Sequence, residues 1–315
     1  MSDFIDCCRL LSIAIAFLGT LNALYALWVG WRNRCWEKTI TRDADGILPG
    51  AAPYTLEGEC PHEPRTAILF IHGFNDTPRA WQLLVPRVHE LTRATCRVMR
   101  LPHTSEPLRQ QHRARLELWL NAIHIEVARL RTCHEKVFIA GHSLGGGLAL
   151  LSSGSILLPS RQVREQDAPT TFVDGLILLS PLIRNKRKHV WMFETLSRLL
   201  SFSRACRTPF PKPIKTKDGR VYDYVRDRYV SFAVFRAMFD MTRRLDGVSP
   251  SSGPSEPRPP VLAFVSERDS LIDVPAALRF LSNANIITTR EAGHVLALDT
   301  GWEKRAEEIA GFVSG

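Results

Sequence analysis

Hydrophobic and polar positions divide this chain into three regimes. From Leu10 to Trp31 no charged residue occurs, and Arg9 and Arg32 bracket the run. A helix of about 20 apolar residues crosses the hydrocarbon core of a bilayer. Tyr25, Trp28, Trp31 and Trp36 gather at the far end, as aromatic side chains do at a membrane interface. Further on, short apolar runs end in small, acidic or imidazole-bearing residues: Thr66 to Ile71, Lys136 to Ala140, Gly175 to Ser180, Val261 to Ser266 and Asn285 to Thr289. Unalternating runs of this length predict strands buried on both faces, hence a mostly parallel sheet with helices on either side. The third regime is the interval between Ser180 and Val261, about eighty residues long and far beyond an ordinary connection.

Each strand run delivers chemistry at its C-terminal end, where functional groups of open α/β sheets collect. Lys136 to Ala140 runs into Gly141-His142-Ser143-Leu144-Gly145, followed by the small-residue stretch Gly146 to Leu150. That order predicts strand, sharp turn and helix with Ser143 at the apex, flanked by glycines that let the helix pass close to the strand. A nucleophilic serine needs a base, an orienting acid and an oxyanion site. Thr66 to Ile71 opens into His72-Gly73-Phe74-Asn75, a tight loop suited to aiming an N–H at a substrate oxygen, so the amides of Phe74 and Leu144 are the candidate oxyanion donors. His72 precedes the serine and fits better as part of that loop than as the base. Val261 to Ser266 delivers Glu267, Asp269 and, further on, Asp273, with Asp269 best placed as the acid. Asn285 to Thr289 leads to His294, the candidate base. His89, His112, His124 and His134 fall in or beside helical stretches and are expected at the surface.

From about Thr66 onward the chain resembles the α/β-hydrolase superfamily, in particular its lidded lipase and carboxylesterase branch (monoacylglycerol-lipase-like, serine-aminopeptidase-like). The resemblance rests on the Gly141 to Gly145 motif, the His72-Gly73-Phe74 loop, the segment Ser266 to Asp273 and the chain order Ser143, Asp269, His294. It implies the α/β-hydrolase fold with a mostly parallel central sheet, helices on both faces and an inserted helical lid. It also implies ester cleavage through a Ser143–His294–Asp269 triad and an acyl-enzyme, with no cofactor and no metal. Peptidase or thioesterase chemistry would use the same triad, and a non-catalytic α/β-hydrolase-like binding protein would share the fold. One departure stands out: relatives carry Gly-His-Gly after the proline that here is followed by His103-Thr104-Ser105, so this loop is expected to be shorter or differently turned.

The expected organisation is a transmembrane anchor over 1–36, a tether over 37–64, hydrolase core over 65–183, a lid and return loop over 184–259, and core again over 260–315. The core is expected to fold without the anchor. A cleavable leader is disfavoured because Asp3 and Asp6 outnumber Arg9 before the apolar run and no small-residue cleavage site follows it. Arg32, Arg34, Lys38 and Arg42 after the span predict a cytoplasmic catalytic domain. The seven cysteines lack framework spacing and are expected as free thiols, Cys7 and Cys8 standing just before the span. A net charge of +9 is spread without a nucleic-acid-binding module, which leaves anionic lipid as the partner of choice over nucleic acid, besides a small ester or lipid substrate. In the lid, Arg184, Lys186, Arg187 and Lys188 precede an apolar and aromatic stretch from Val190 to Leu200 that suits a membrane surface. A second helical pattern there, Val225, Tyr229, Phe232, Val234, Phe235, Met238 and Phe239, would either line an acyl pocket or cap the core.

Overall fold

The structure, a computed structural model, describes residues 2–58, 65–153, 173–186, 194–195, 205–207, 214–216, 219–222, 226–247 and 259–315. In chain order its elements begin with α1 (Ser2–Glu37), β1 (Tyr54–Leu56), β2 (Thr66–Ile71), a 3₁₀ turn (Pro78–Trp81), α2 (Leu84–Thr92), β3 (Thr95–Met99), α3 (Leu108–Gln111), α4 (Leu116–Arg131), β4 (Lys136–His142), α5 (Leu144–Ser152) and β5 (Gly175–Leu179). There follow β6 (Ala205–Arg207), β7 (Ile214–Lys215), β8 (Val221–Tyr222), β9 (Tyr229–Ser231), α6 (Phe232–Asp246), β10 (Val261–Ser266), α7 (Val274–Phe280), β11 (Asn285–Thr289) and α8 (Trp302–Ser314).

Seven strands form one sheet in the order β1-β3-β2-β4-β5-β10-β11. Every neighbour is parallel except β1, which lies antiparallel on β3. All five predicted strand runs are in it, and alternate side chains go to opposite faces as the pleat requires. Ala67, Leu69 and Ile71 of β2, with Val137 and Ile139 of β4, join the layer of α4, α5 and α6. Ile68 and Phe70, with Phe138 and Ala140, join the layer of α2 and α8. Burial on both faces explains why these strands read as continuous apolar runs. The strand order reverses between β2 and β4, which opens a crevice at their C-terminal ends, where open α/β sheets place their ligands.

The N-terminal helix is 36 residues long and exposes most of its apolar surface. Its last turns are different: Asn22, Val29 and Asn33 are buried, and Tyr25, Val29 and Trp36 pack with Leu108 and Tyr229. Spacings of three, four and seven residues put these on one stripe of the helix. The segment expected as a tether is also seated. Ile47, Leu48 and Ala51 are buried with Trp36 and Ile40 against them, and Arg42 pairs with Glu37 at 2.8 Å and donates to the carbonyl of Ser105 at 2.9 Å. Apolar side chains every few residues are what turn a polar stretch into a packed strap.

The interval expected as a lid is described in part. The Val190 to Leu200 stretch lies outside the described residues except for positions 194 and 195, and Arg187, Lys188 and Val225 lie outside them too. The second pattern is not one helix: Tyr229 stands on β9, paired antiparallel with β6, and α6 starts at Phe232 with Ser231 Oγ capping the Ala233 N–H. Val234, Phe235, Met238, Phe239 and Met241 are buried in the α5 layer. A Cβ on Gly147 would stand 2.6 Å from Met241, so α6 lies flat on α5. Asn185 and Lys186 work inward, whereas Arg184 pairs with Asp246 at the surface: Lys186 Nζ donates to the carbonyl of Asp269 at 2.9 Å, and Asn185 bridges to Ile272.

The docking of α1 generates a stability prediction. In detergent, a chain lacking residues 1–20 should keep the melting temperature of the full protein. One lacking 1–36 should melt lower by roughly 4–8 °C, since burial of a side chain such as Val29 stabilises by about 2 kcal/mol. Differential scanning fluorimetry decides it, and equal melting temperatures for the two truncations would show that the stripe does not stabilise the domain.

Candidate active site

Ser143 stands between β4 and α5 at φ 53° and ψ −114°, a left-handed backbone outside helix and strand geometry. Its amide donates to Leu179 at 2.9 Å, and its carbonyl accepts from Leu182 at 2.8 Å and Gly147 at 3.2 Å. Those bonds hold the unfavourable conformation in place. The flanking glycines are sterically required. A Cβ on Gly141 would meet the Gly145 carbonyl oxygen at 2.3 Å, and one on Gly145 would meet that of Ile71 at 2.2 Å.

The structure brings Ser143, His294 and Asp269 into one hydrogen-bonded chain. His294 Nε2 lies 2.9 Å from Ser143 Oγ, and Nδ1 lies 2.6 Å from Asp269 Oδ2. A carboxylate only accepts, so the ring proton sits on Nδ1 and Nε2 is free to accept from the serine. Asp269 Oδ1 in turn accepts the amides of Leu271 at 2.8 Å and Ile272 at 3.2 Å. Burial pulls the Asp269 carboxyl up, but the hydrogen bonds from His294 and the two amides outweigh it and hold it below the usual carboxylate range. The rival acids are engaged elsewhere. Asp273 caps α7 through the Ala276 amide at 3.0 Å, and Glu267 pairs with Arg290 at 2.5 Å.

Phe74 and Leu144 flank the serine from two loops. Leu144 opens α5, so its N–H has no intrahelical acceptor. A Cβ on Gly73 would stand 3.4 Å from Ser143 Cβ, which places the Phe74 loop against the nucleophile's turn. The Phe74 ring packs 4.7 Å from that of Phe235 on α6. His72 is buried under this loop with Nδ1 on the Gly73 carbonyl at 2.9 Å, and its Nε2 accepts the Leu101 amide at 3.2 Å. Burial lowers its pKa, and both nitrogens are spent on fixing loops. The four histidines expected at the surface are partly buried instead; His112 bonds Ser231 Oγ at 2.7 Å and His134 bonds Thr95 Oγ1 at 2.9 Å.

The sequence profile of the alpha/beta hydrolase family matches residues 68–310. The chain belongs to that family. Among solved structures, a metagenome-derived lipolytic enzyme aligns with a TM-score of 0.63 at 16% identity, over 85% of this chain and 99% of its own. A soluble variant of monoglyceride lipase from Saccharomyces cerevisiae aligns at 0.62 and 15% identity, over 83% and 90%. A monoacylglycerol lipase of Paleococcus ferrophilus aligns at 0.58 and 16%, over 83% and 97%. No curated protein sequence gives a significant match.

Two features of this hydrolase go beyond what was read from its sequence. The first concerns the loop after Pro102. His103 and Ser105, at the positions where relatives carry glycine, take φ of 61° and 58° themselves. Arg100 makes the unfavourable turn tenable by binding the Thr104 carbonyl at 2.8 Å and Glu106 at 2.7 Å. The second is His142. Its Nε2 donates to the His294 carbonyl at 3.0 Å, its ring centre lies 5.0 Å from that of His294, and among the described residues its buried Nδ1 has no partner. Burial, with the neighbouring His294 adding to it, lowers its pKa to about 4. Only the pairing of strand end with histidine loop, which no local pattern encodes, reveals the role.

His142 carries a pH signature. Between pH 6.5, the ordinary imidazole value, and about 4, the unfolded chain takes up a proton that the folded chain refuses, so this group removes stability as pH falls through that window. In His142→Phe that contribution is gone, and chemical denaturation at pH 7, 5.5 and 4.5 should show a shallower acid-side loss than wild type. Parallel slopes would mean the ring is charged or solvated in the folded protein.

Proposed function

We propose that this chain is a membrane-anchored serine hydrolase that cleaves carboxylic esters, lipid or acyl esters in particular, through Ser143, His294 and Asp269. The observation that carries it is the unbroken hydrogen-bonded chain from Ser143 Oγ through His294 to Asp269, with the serine on a strained turn. In this reading Ser143 Oγ attacks the ester carbonyl while His294 Nε2 takes the hydroxyl proton, and Asp269 stabilises the imidazolium without itself becoming protonated. The carbonyl oxygen gains its charge beside the amides of Phe74 and Leu144. His294 then passes its proton to the departing alkoxide, leaving an acyl-serine. Water repeats the sequence from the other side: His294 takes its proton, the hydroxide attacks, and Ser143 leaves reprotonated with the free acid released.

Lipid over small soluble esters is favoured by the apolar wall beside the nucleophile, formed by Phe74, Phe232 and Phe235, and by α1. Residues Asp6–Glu37 are long and apolar enough to cross a membrane. The likeness of fold to structures described as lipolytic enzymes and monoacylglycerol lipases supports the same class. The described part of 184–259 acts as a cap over α5, with the core resuming at 260 and the cytoplasm holding the catalytic domain.

A fluorophosphonate probe tests the assignment. Ser143→Ala should remain folded and lose both labelling and ester turnover, the latter by several orders of magnitude. Asp269→Asn should lose about 10⁴-fold in kcat, the size of the effect for the corresponding change in an unrelated serine protease. Glu267→Gln and Asp273→Asn should stay within a few-fold of wild type, the latter with little change in stability because an asparagine oxygen also caps α7. Persistent labelling of Ser143→Ala would refute the nucleophile; a crippled Glu267→Gln beside an active Asp269→Asn would refute the acid alone.

A further inference from the structure

The way α1 docks conflicts with a domain held off the membrane. Its uncharged run begins at Leu10, and contact with the domain begins at Asn22. At about 1.5 Å per residue the free stretch between them is roughly 18 Å long, well short of a ~30 Å hydrocarbon core. The rest of the run, through Trp31, lies alongside the domain. On its outer side Leu24, Leu27, Trp28 and Trp31 are 46–70% exposed and need an apolar covering. Charge next to the dock is complementary to lipid. Leu108, which packs on Val29 and Tyr229, is followed by Arg109 and Arg113, both exposed and, among the described residues, in no ion pair.

We propose that the flank of the domain receiving α1, around Leu108 and Tyr229, is itself seated in the near leaflet of an anionic bilayer, with Arg109 and Arg113 among the headgroups. The proposal rests on the reading of α1 as the membrane anchor and deepens it: the helix is a bolt rather than a leash. Its consequence for the site is geometric. Tyr229 on β9 leads directly into α6, whose Phe235 packs on Phe74 beside Ser143, so one short element separates the membrane-facing helix from the wall of the nucleophile's crevice. An ester carried by a lipid of that leaflet would reach the crevice along this wall.

The test uses the full chain in vesicles of phosphatidylcholine and phosphatidylglycerol. With the native cysteines replaced by serine, bimane is attached at Gln110→Cys. Lipids brominated high on the acyl chain should quench it strongly, and aqueous iodide should quench it little. Strong iodide quenching with no effect of brominated lipid would overturn the proposal, whatever the protein hydrolyses. The double variant Arg109→Glu and Arg113→Glu should stay membrane-bound through α1. It should lower the brominated-lipid quenching and slow turnover of a vesicle-borne ester several-fold, with turnover of a short soluble ester unchanged. Unaltered quenching and unaltered vesicle turnover would remove the arginines from the contact. Quenching as expected with no ester turned over in either form would instead leave the seat intact and refute the hydrolase reading.

Discussion

At the elbow the backbone of α5 comes so near β4 and β2 that only hydrogen atoms fit where side chains would stand. Gly141 faces the Gly145 carbonyl and Gly145 faces that of Ile71, both at distances a Cβ could not occupy. This contact forces Ser143 into its left-handed conformation and lifts its Oγ clear of the sheet. It also brings the Gly73 loop and the first turn of α5 to the same point, and the side chains of His72 and Asn75 help to hold that loop there.

The candidate acid and base meet at that elbow but are held from outside it. Asp269 is fixed by two amides of its own loop and by Lys186 on its carbonyl, and Asn185 and Lys186 tie the same loop to the chain leaving β5. His294 is gripped at both ends of its residue: the ring by Asp269 and Ser143, the carbonyl by His142. His142 immediately precedes Ser143, so the candidate nucleophile and the candidate base are both held at the same strand end.

The parts of this architecture legible in the sequence are those encoded locally. Buried parallel strands are continuous apolar runs, and the elbow is a glycine-serine pattern, so β2, β4, β5, β10, β11 and the positions of Ser143, Asp269 and His294 could be read from the chain. β1 and β3 could not, because β3 mixes Arg97 and Thr95 into its run and β1 is three residues long at a sheet edge. Arg97 is accommodated by a side-chain partner far away in sequence, Glu126 on α4, at 3.0 Å. The same reason hid the packed strap after α1 and the inward role of Lys186. Each is decided by a partner dozens of residues distant, and composition alone made them look like solvated loops.

The strap also joins the end of α1 to the loop beside Ser143. Arg42, just past α1, bonds the Ser105 carbonyl and lies 3.9 Å from Asp227, whose carboxylate accepts the Ser105 amide at 3.1 Å. The backbone carbonyl of Asp227 receives Asn75 Nδ2 at 3.1 Å, and Asn75 follows Phe74 in the loop beside Ser143, at φ 49°. Burial pushes the Asp227 carboxyl up to about 7, with Arg42 pulling against it. A carboxyl raised in the folded state favours folding at low pH and loses that contribution as pH rises through its folded value. A helix bolted to the domain by its stripe and a loop held by Asp227 thus share one short run of hydrogen bonds. Hydrogen bonds therefore run from the residue just past α1 through Ser105 and Asp227 to the turn that carries Phe74.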